Sequence, residues 1–146
     1  MKKNIYVCGV GMIPFTKPGL SMSYPIMGEE ACKLALKDAN LSYDKIDQVY
    51  CGYVYGESTC GQASVYNLGM TGIPIFNVNN NCSSGSSALF LARQSILSGS
   101  SECCLAFGFE QMNKGALKEI YPDKVNPLQR FEQIFKNSER ADDNIS

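Results

Sequence analysis

Short apolar runs and helical repeats alternate along the first two thirds of the chain. Four apolar runs, each of strand length, predict buried strands at residues 5–10, 49–55, 75–78 and 103–109. The last run is apolar throughout, which predicts a central strand. Apolar residues at helical spacing separate the runs. The pattern therefore predicts an α/β fold, with a mainly parallel sheet, right-handed βαβ crossovers and helices on both faces.

Three stretches have the 3.6-residue period of amphipathic helices. In the first, Ser23 is a candidate N-cap, Pro25 suits the first turn, and the pattern fades by Asn40. A shorter helix is predicted at 62–70, after a polar turn, and the third begins near residue 82 and ends at Gly99. The residues predicted to face the sheet are Met27, Ala31, Leu34 and Ala35 in the first helix and Gly85, Ala88, Leu89, Ala92 and Ile96 in the third.

Cys82 occupies the junction between the third predicted strand and the third helix. It follows three asparagines at 79–81 and precedes S-S-G-S-S at 83–87, whose small side chains leave open space around it. The first turn of a helix has unpaired N–H groups and a partial positive charge, so a thiolate is favoured there. Two interpretations stay open: a nucleophile, or an inert packed thiol, as most free cysteines are. A phosphate site at this helix start ranks lower, because G-x-x-x-x-G-K-[ST] and G-x-G-x-x-G are both absent.

Composition narrows the class of protein. A net charge of -1 over 146 residues, without a basic block, argues against nucleic acid as a main partner. No apolar run approaches the length of a membrane span, and the start, M-K-K-N-I-Y-V, enters a strand pattern directly instead of a signal peptide. Seven cysteines without regular spacing predict reduced thiols in a reducing, intracellular compartment. The chain has no His and no C-x-x-C pair, so we expect no metal site.

Four motifs in order resemble the thiolases. They are V-C-G-V-G-M at 7–12, C-G-Y-V-Y-G-E-S-T-C-G-Q at 51–62, N-N-N-C-S-S-G-S-S-A-L-F-L-A-R at 79–93 and G-F-E-Q-M-N-K-G at 108–115. Within that family they are most similar to the thiolase domain of sterol carrier protein x. The resemblance implies an incomplete, thiolase-like N-terminal half-domain at 1–117 and a truncated loop-domain remnant or tail at 118–146. In that second part an amphipathic helix is predicted around 128–135, and the end, 138–146, is predicted to be frayed.

The resemblance also implies a chemistry. Thiolases cleave or form 3-oxoacyl-CoA through an acyl-cysteine intermediate, with the coenzyme A thioester as substrate and no bound cofactor. Cys82 matches the nucleophile, and its backbone N–H would contribute to an oxyanion hole. The family also uses an activating His and a second, proton-carrying Cys, both in a second half that follows the end of this chain. We therefore expect this chain alone to be inactive, as an N-terminal half from a truncated isoform, a shortened gene or a fragment.

Three functions stay open at this point. They are a thiolase-family acyltransferase of fatty-acid or branched-chain lipid metabolism, a condensing enzyme of the ketoacyl-synthase kind, and a non-catalytic half-thiolase that binds a partner or lipid. The resemblance implies a peroxisomal protein, with cytoplasm or mitochondrion as alternatives, because the terminal N-I-S is not an S-K-L signal. An unpaired sheet edge predicts a homodimer or an aggregate.

Two further stretches follow predicted strands. Residues 57–62 are interpreted either as a capped turn or, by resemblance, as a loop near the active site and dimer interface, with Cys60 structural. Glu110 is either a carboxylate of the pocket or a solvated loop residue.

Overall fold

The computed structural model describes residues 4–115 and 121–138. The chain divides into two compact units, Met1–Lys114 and Gly115–Ser146. Within the described residues, the first unit holds a parallel sheet with its helices, and the second holds one helix. The elements are α1 (Tyr24–Asp38), a 3-10 turn (Tyr43–Lys45), β1 (Gln48–Gly52), α2 (Cys60–Val65), β2 (Ile75–Val78), α3 (Ser84–Ser98), β3 (Cys104–Gly108) and α4 (Gln129–Lys136).

The three described strands lie in the order β2-β1-β3, and both pairings are parallel. Gly52 pairs with Val78 on one side and with Gly108 on the other, so the carboxyl ends of the strands are level. The predicted central position of the run 103–109 is wrong, because β1 is the central strand. β3 is apolar because α1 and α3 cover its two faces, and this burial does not require a strand on each side.

Helices cover both faces of the sheet, which confirms the predicted α/β class. On one face, Val49 and Leu105 pack with Cys32 and Leu36 of α1 and with Val65 of α2. On the opposite face, Tyr50 packs with Ala88 and Ala92 of α3. The adjacent Cys103 and Cys104 divide between these two clusters, as neighbours on a strand must.

The predicted strand at 5–10 is wrong. This segment is neither helix nor strand, and Val7 and Val10 are 73% and 69% exposed. Its backbone is held by α1: the Val10 N–H donates to Asp38 Oδ2 at 2.9 Å, and a Cβ on Gly9 would lie 2.5 Å from the α1 backbone. A groove of about 490 Å³ is lined by this segment and by β3. The apolar run therefore packs along a helix and forms no ladder with β3.

The predicted helix faces are only partly right. The elements pack so closely that only small or slender side chains fit between them: a Cβ on Gly28 of α1 would lie 2.7 Å from Ser64 Oγ of α2, and a Cβ on Gly52 of β1 would lie 2.6 Å from the Ser84 backbone of α3. Leu34 and Leu89 are therefore 43% and 56% exposed. The buried residues are Gly28, Cys32 and Leu36 in α1 and Ser84, Ala88, Ala92 and Ser95 in α3.

Element boundaries differ from the predictions by a few residues. β1 ends at Gly52, α2 starts at Cys60 and ends at Val65, and Ser23 precedes α1 without a side-chain capping bond. The helix predicted around 128–135 is present as α4. The tail predicted to be frayed lies outside the described residues from 139 onward. No helix of the described segments is long and apolar enough to cross a membrane.

Candidate active site

The turn that joins β2 to α3 carries Cys82. β2 ends at Val78, and α3 begins at Ser84 with Ser83 as its N-cap residue. Cys82 lies two residues before the first helical residue, and its side chain is exposed. The thiol is thus at the carboxyl end of a parallel strand, where ligands of such sheets bind.

Hydrogen bonds brace this turn from both sides. The Ser84 hydroxyl donates to the Asn81 carbonyl at 2.7 Å and accepts the Asn80 N–H at 2.8 Å. The N–H groups of Ser83 and Ser84 donate to the carbonyls of Asn80 and Asn81, each at 3.0 Å. The Asn80 side chain also donates to Ser87 Oγ at 2.9 Å. The backbone that presents Cys82 is consequently fixed to the first turn of α3.

Asn81 has a left-handed backbone, with φ at 48°. Asparagine tolerates this conformation better than most residues. The Asn81 N–H donates to Asn79 Oδ1 at 3.1 Å. Its own Oδ1 lies 3.8 Å from Cys82 Sγ and accepts the thiol proton. This amide is the polar group that the structure pairs with the sulfur.

Glycines at the strand ends let α3 approach the sheet. A Cβ on Gly52 would lie 2.6 Å from the carbonyl carbon and oxygen of Ser84 and 2.8 Å from the Gly85 nitrogen. A Cβ on Gly108 would lie 2.7 Å from the Gly52 carbonyl oxygen. Real Cβ atoms do not approach backbone so closely, so the position of the Cys82 turn depends on Gly52 having no side chain.

Side chains also tie the neighbouring loops to the strand ends. Asn77 of β2 accepts the Gly61 N–H at 2.8 Å, which anchors the start of α2. Glu110, which follows β3, accepts the N–H groups of Val54 and Tyr55 at 3.0 and 2.9 Å. The structure therefore uses the Glu110 carboxylate to hold the loop that follows β1.

Cys60 lies inside an aromatic cluster. It is 1% exposed, and the rings of Tyr24 and Tyr53 each stack on Phe109 with centroids 5.0 Å apart. The pKa of the Tyr24 hydroxyl is raised, mainly by a hydrogen bond with Cys60 and secondly by burial. These contacts are those of a packed thiol, in agreement with its structural interpretation.

Burial separates the remaining thiols from Cys82. It raises the pKa of Cys32 to about 12 and also raises the pKa values of Cys51, Cys103 and Cys104. A thiolate is the reactive form, so these four positions disfavour nucleophilic chemistry. The exposed thiols are Cys8 and Cys82.

Within residues 4–115 and 121–138, the hydrogen-bond partner that the structure gives the Cys82 thiol is the Asn81 amide oxygen, which is not a base. The ion pairs found in residues 4–115 and 121–138 join Lys33 to Glu29 and Glu30, and Lys45 to Asp44, all away from this turn. The sequence has no His to supply one. Sequence reasoning identified Cys82 but missed Asn81, Gly52 and the bracing role of Glu110. An asparagine between a strand pattern and a helix pattern is a sequence signal for positive φ, and it could have identified Asn81. The close approach of the α3 backbone to Gly52 has no signal in the neighbouring sequence.

Comparisons with known proteins agree with one another. The family model described as thiolase, N-terminal domain, matches residues 5–135. Sterol carrier protein 2 from Oryctolagus cuniculus is 52% identical over 137 residues, which cover 92% of this chain and 25% of that protein. Non-specific lipid-transfer protein-like 2 from Caenorhabditis elegans is 49% identical over 121 residues, covering 82% of this chain and 29% of that protein.

Solved structures share the fold. The 3-oxoacyl-[acyl-carrier-protein] synthase III of Aquifex aeolicus VF5 matches with a TM-score of 0.56 and 23% identity, over 65% of this chain and 32% of that one. At this identity the likeness concerns the fold alone. Since the family model matches most of the residues, this chain belongs to the thiolase family, as its N-terminal domain.

Proposed function

We propose that this domain supplies the acyl-accepting nucleophile, Cys82, of a thiolase that cleaves or forms 3-oxoacyl-CoA. The observation that carries the proposal is the exposed thiol at the end of β2, immediately before α3, in a chain of the thiolase family. The small residues around it leave space for a thioester, and the N–H groups at the helix start favour negative charge on an attacked carbonyl oxygen.

The proposed reaction has two acyl transfers. The Cys82 thiolate attacks the C3 carbonyl of a 3-oxoacyl-CoA, the C2–C3 bond breaks, and its electron pair leaves with the acetyl-CoA carbanion, which takes up one proton. The acyl group is then bonded to Cys82 as a thioester. The thiolate of a second coenzyme A attacks that carbonyl, and the Cys82 thiolate leaves. Covalent catalysis thereby divides one difficult step into two easier ones.

The proton donor for the carbanion and the base for the thiols are proposed to come from outside these 146 residues. The chain spans about a quarter of the length of the rabbit relative, and it contains no His. General acid–base steps contribute roughly 10²–10⁴-fold each, so this domain without them would transfer acyl groups only slowly.

The substrate class and setting are proposed from the relatives. Sterol carrier and lipid-transfer names among them favour fatty or branched acyl chains in lipid metabolism. All seven cysteines lie in the described part and are free thiols, which suits a reducing compartment, proposed to be the peroxisome. A homodimer is proposed because the described sheet leaves the outer edges of β2 and β3 without a partner strand.

Acyl exchange tests the proposal without needing carbon–carbon cleavage. The purified chain is incubated with octanoyl-CoA and isotopically labelled coenzyme A, and label entering octanoyl-CoA is measured by mass spectrometry. We expect exchange several-fold above an equal concentration of free cysteine, lost in Cys82→Ser and kept in Cys8→Ser, which removes the other exposed thiol. Exchange that survives in Cys82→Ser, or that never exceeds free cysteine, would instead leave a non-catalytic lipid- or partner-binding domain.

A further inference from the structure

Asn81 combines an uncommon backbone with a direct contact to the proposed nucleophile. Among the described residues other than glycine, positive φ occurs at Asn40, Thr59 and Asn81. Asn40 follows the end of α1, where left-handed residues are usual. Asn81 instead has this conformation inside the turn that directs the Cys82 side chain outward.

The backbone of Asn81 is fully used in holding that conformation. Its N–H donates to Asn79, and its carbonyl accepts both the N–H and the hydroxyl of Ser84. The side-chain amide makes none of these bonds. It reaches the sulfur of the next residue, with Oδ1 3.8 Å from Sγ.

We propose that Asn81 is a positioning residue for Cys82. Its left-handed backbone directs the thiol outward, and its side-chain amide hydrogen-bonds the sulfur both as a thiol and as a thiolate. This inference rests on the proposed nucleophilic role of Cys82. A thiol donates its proton to the amide oxygen, as the geometry has it. A thiolate can only accept, so the amide then turns about its Cβ–Cγ bond and donates through Nδ2. This rotation of the side chain exchanges the positions of Oδ1 and Nδ2 and moves no backbone atom.

Alkylation of Cys82 by iodoacetamide tests the two parts separately. The rate is followed from pH 6 to 9.5 on the peptide that contains Cys82, in the full chain. Asn81→Gly keeps the left-handed backbone and loses the amide, so we expect a plateau rate near the parent's and a half-maximal pH higher by about half a unit. Asn81→Ala loses both, so its plateau rate also falls, by about 3-fold or more.

Asn81→Asp separates charge from shape. It has almost the same size and tolerates the same backbone, but it places a carboxylate beside the forming thiolate. We expect the half-maximal pH to rise by about one unit, which is a ~10-fold slower reaction near pH 7. The neutral Asn81→Gly variant separates the role of the amide from this added charge, because loss of a residue with a purely structural role would not move its pH profile.

Asn40→Ala is the matched control, because it removes another left-handed asparagine, one that follows the end of α1 and is far from Cys82 in sequence. Its Cys82 profile should equal the parent's. A parental pH profile in Asn81→Gly, or equal rates in Asn81→Ala and Asn40→Ala, overturns the role of Asn81. Exchange of acyl groups that survives Cys82→Ser overturns the proposed function instead, so the two failures are distinguishable. If Asn81→Ala unfolds by circular dichroism, the Gly and Asp variants decide.

Discussion

Burial assigns the cysteines of this chain to different chemical roles. Cys82 is exposed beside an amide oxygen, whereas Cys32 is 1% exposed between α1 and the sheet. In a close-packed interior a thiol behaves as a small apolar group, and ionising it requires removing a charge from water. The same residue type therefore packs in the core at Cys32 and is exposed at Cys82, where we propose the reactive site.

The buried thiol of Cys32 predicts how the stability of the fold depends on pH. Its pKa is raised by burial from 9.0 to about 12 in the folded chain. Between these values the unfolded state has lost the proton that the folded state keeps, so stability falls as pH rises, by about 1.4 kcal/mol per pH unit. Below pH 9 the thiol keeps its proton in both states, so stability is not lowered by its ionisation. We expect urea unfolding from pH 9 to 11 to show at least this slope, because burial also raises the pKa values of Cys51, Cys103 and Cys104, and we expect Cys32→Ala to reduce it. An unchanged slope in that variant would contradict the assignment.

The placement of individual residues was only partly predictable from the sequence. The place of Cys82 between β2 and α3 was predicted correctly, because it stands between a strand pattern and a helix pattern, and its role as nucleophile stays a prediction. Leu89 could not be placed correctly, because the 3.6-residue period does not say how deep a helix sits. α3 lies close enough to the sheet that Ser84, Ala88 and Ala92 are buried and Leu89 is not.

At the scale of elements, the start of α3 depends on the end of β1. Gly52 has no room for a Cβ against Ser84, and Gly108 has none against Gly52. The three strand ends and the first turn of α3 thus form one packed unit. Displacing α3 by a few tenths of an ångström would move Cys82 with it.

Gly52→Ala tests this dependence. We expect a loss of about 1–3 kcal/mol of stability from overpacking, measured by urea unfolding, and slower alkylation of Cys82. Gly85→Ala is the matched control, because a Cβ there meets nothing within 4 Å and the position is in regular helix. It should keep or slightly raise stability, since alanine favours helix. Equal effects of the two substitutions would show that close approach at Gly52 does not position the turn.

The sequence predicted the kinds of element better than their places. Alternating strand and helix patterns were sufficient for the α/β class and for helices on both faces. The apolar run 103–109 suggested a central strand, although it forms the edge strand β3, because helix contacts bury an edge strand equally well. The run 5–10 also suggested a strand because it is apolar. It forms no strand, and its backbone packs on α1. An apolar run predicts burial without saying which neighbour provides it: helices bury much of β3, whereas Val7 and Val10 of the run 5–10 are 73% and 69% exposed.

At the scale of the whole molecule, the chain is about a quarter of the length of the rabbit relative. The described sheet has two outer edges without a partner strand, and apolar side chains such as Phe90 and Met70 are 55% and 83% exposed. Unpaired edges and apolar surface promote association. We expect light scattering to give a mass above 16.0 kDa that grows with concentration. A stable monomer at every concentration would contradict this expectation.

Catalytic turnover is expected to need groups other than Cys82. Thiolysis needs a nucleophile, a base and a proton carrier acting together, and such groups are strongly non-additive. We expect no measurable cleavage of acetoacetyl-CoA by the purified chain in a spectrophotometric assay. Turnover on the order of 1 per second would show that another residue replaces the missing base.

The central claim is that Cys82 accepts an acyl group, and direct mapping of the acyl-cysteine tests it. The chain is incubated with octanoyl-CoA, stopped in acid, digested and analysed by mass spectrometry for the octanoyl thioester on each cysteine. We predict the thioester on Cys82 in large excess over Cys8, with Cys32, Cys51 and Cys60 unmodified, and its loss in Cys82→Ser. Equal or preferential acylation of Cys8, or no acylation of Cys82, would contradict it.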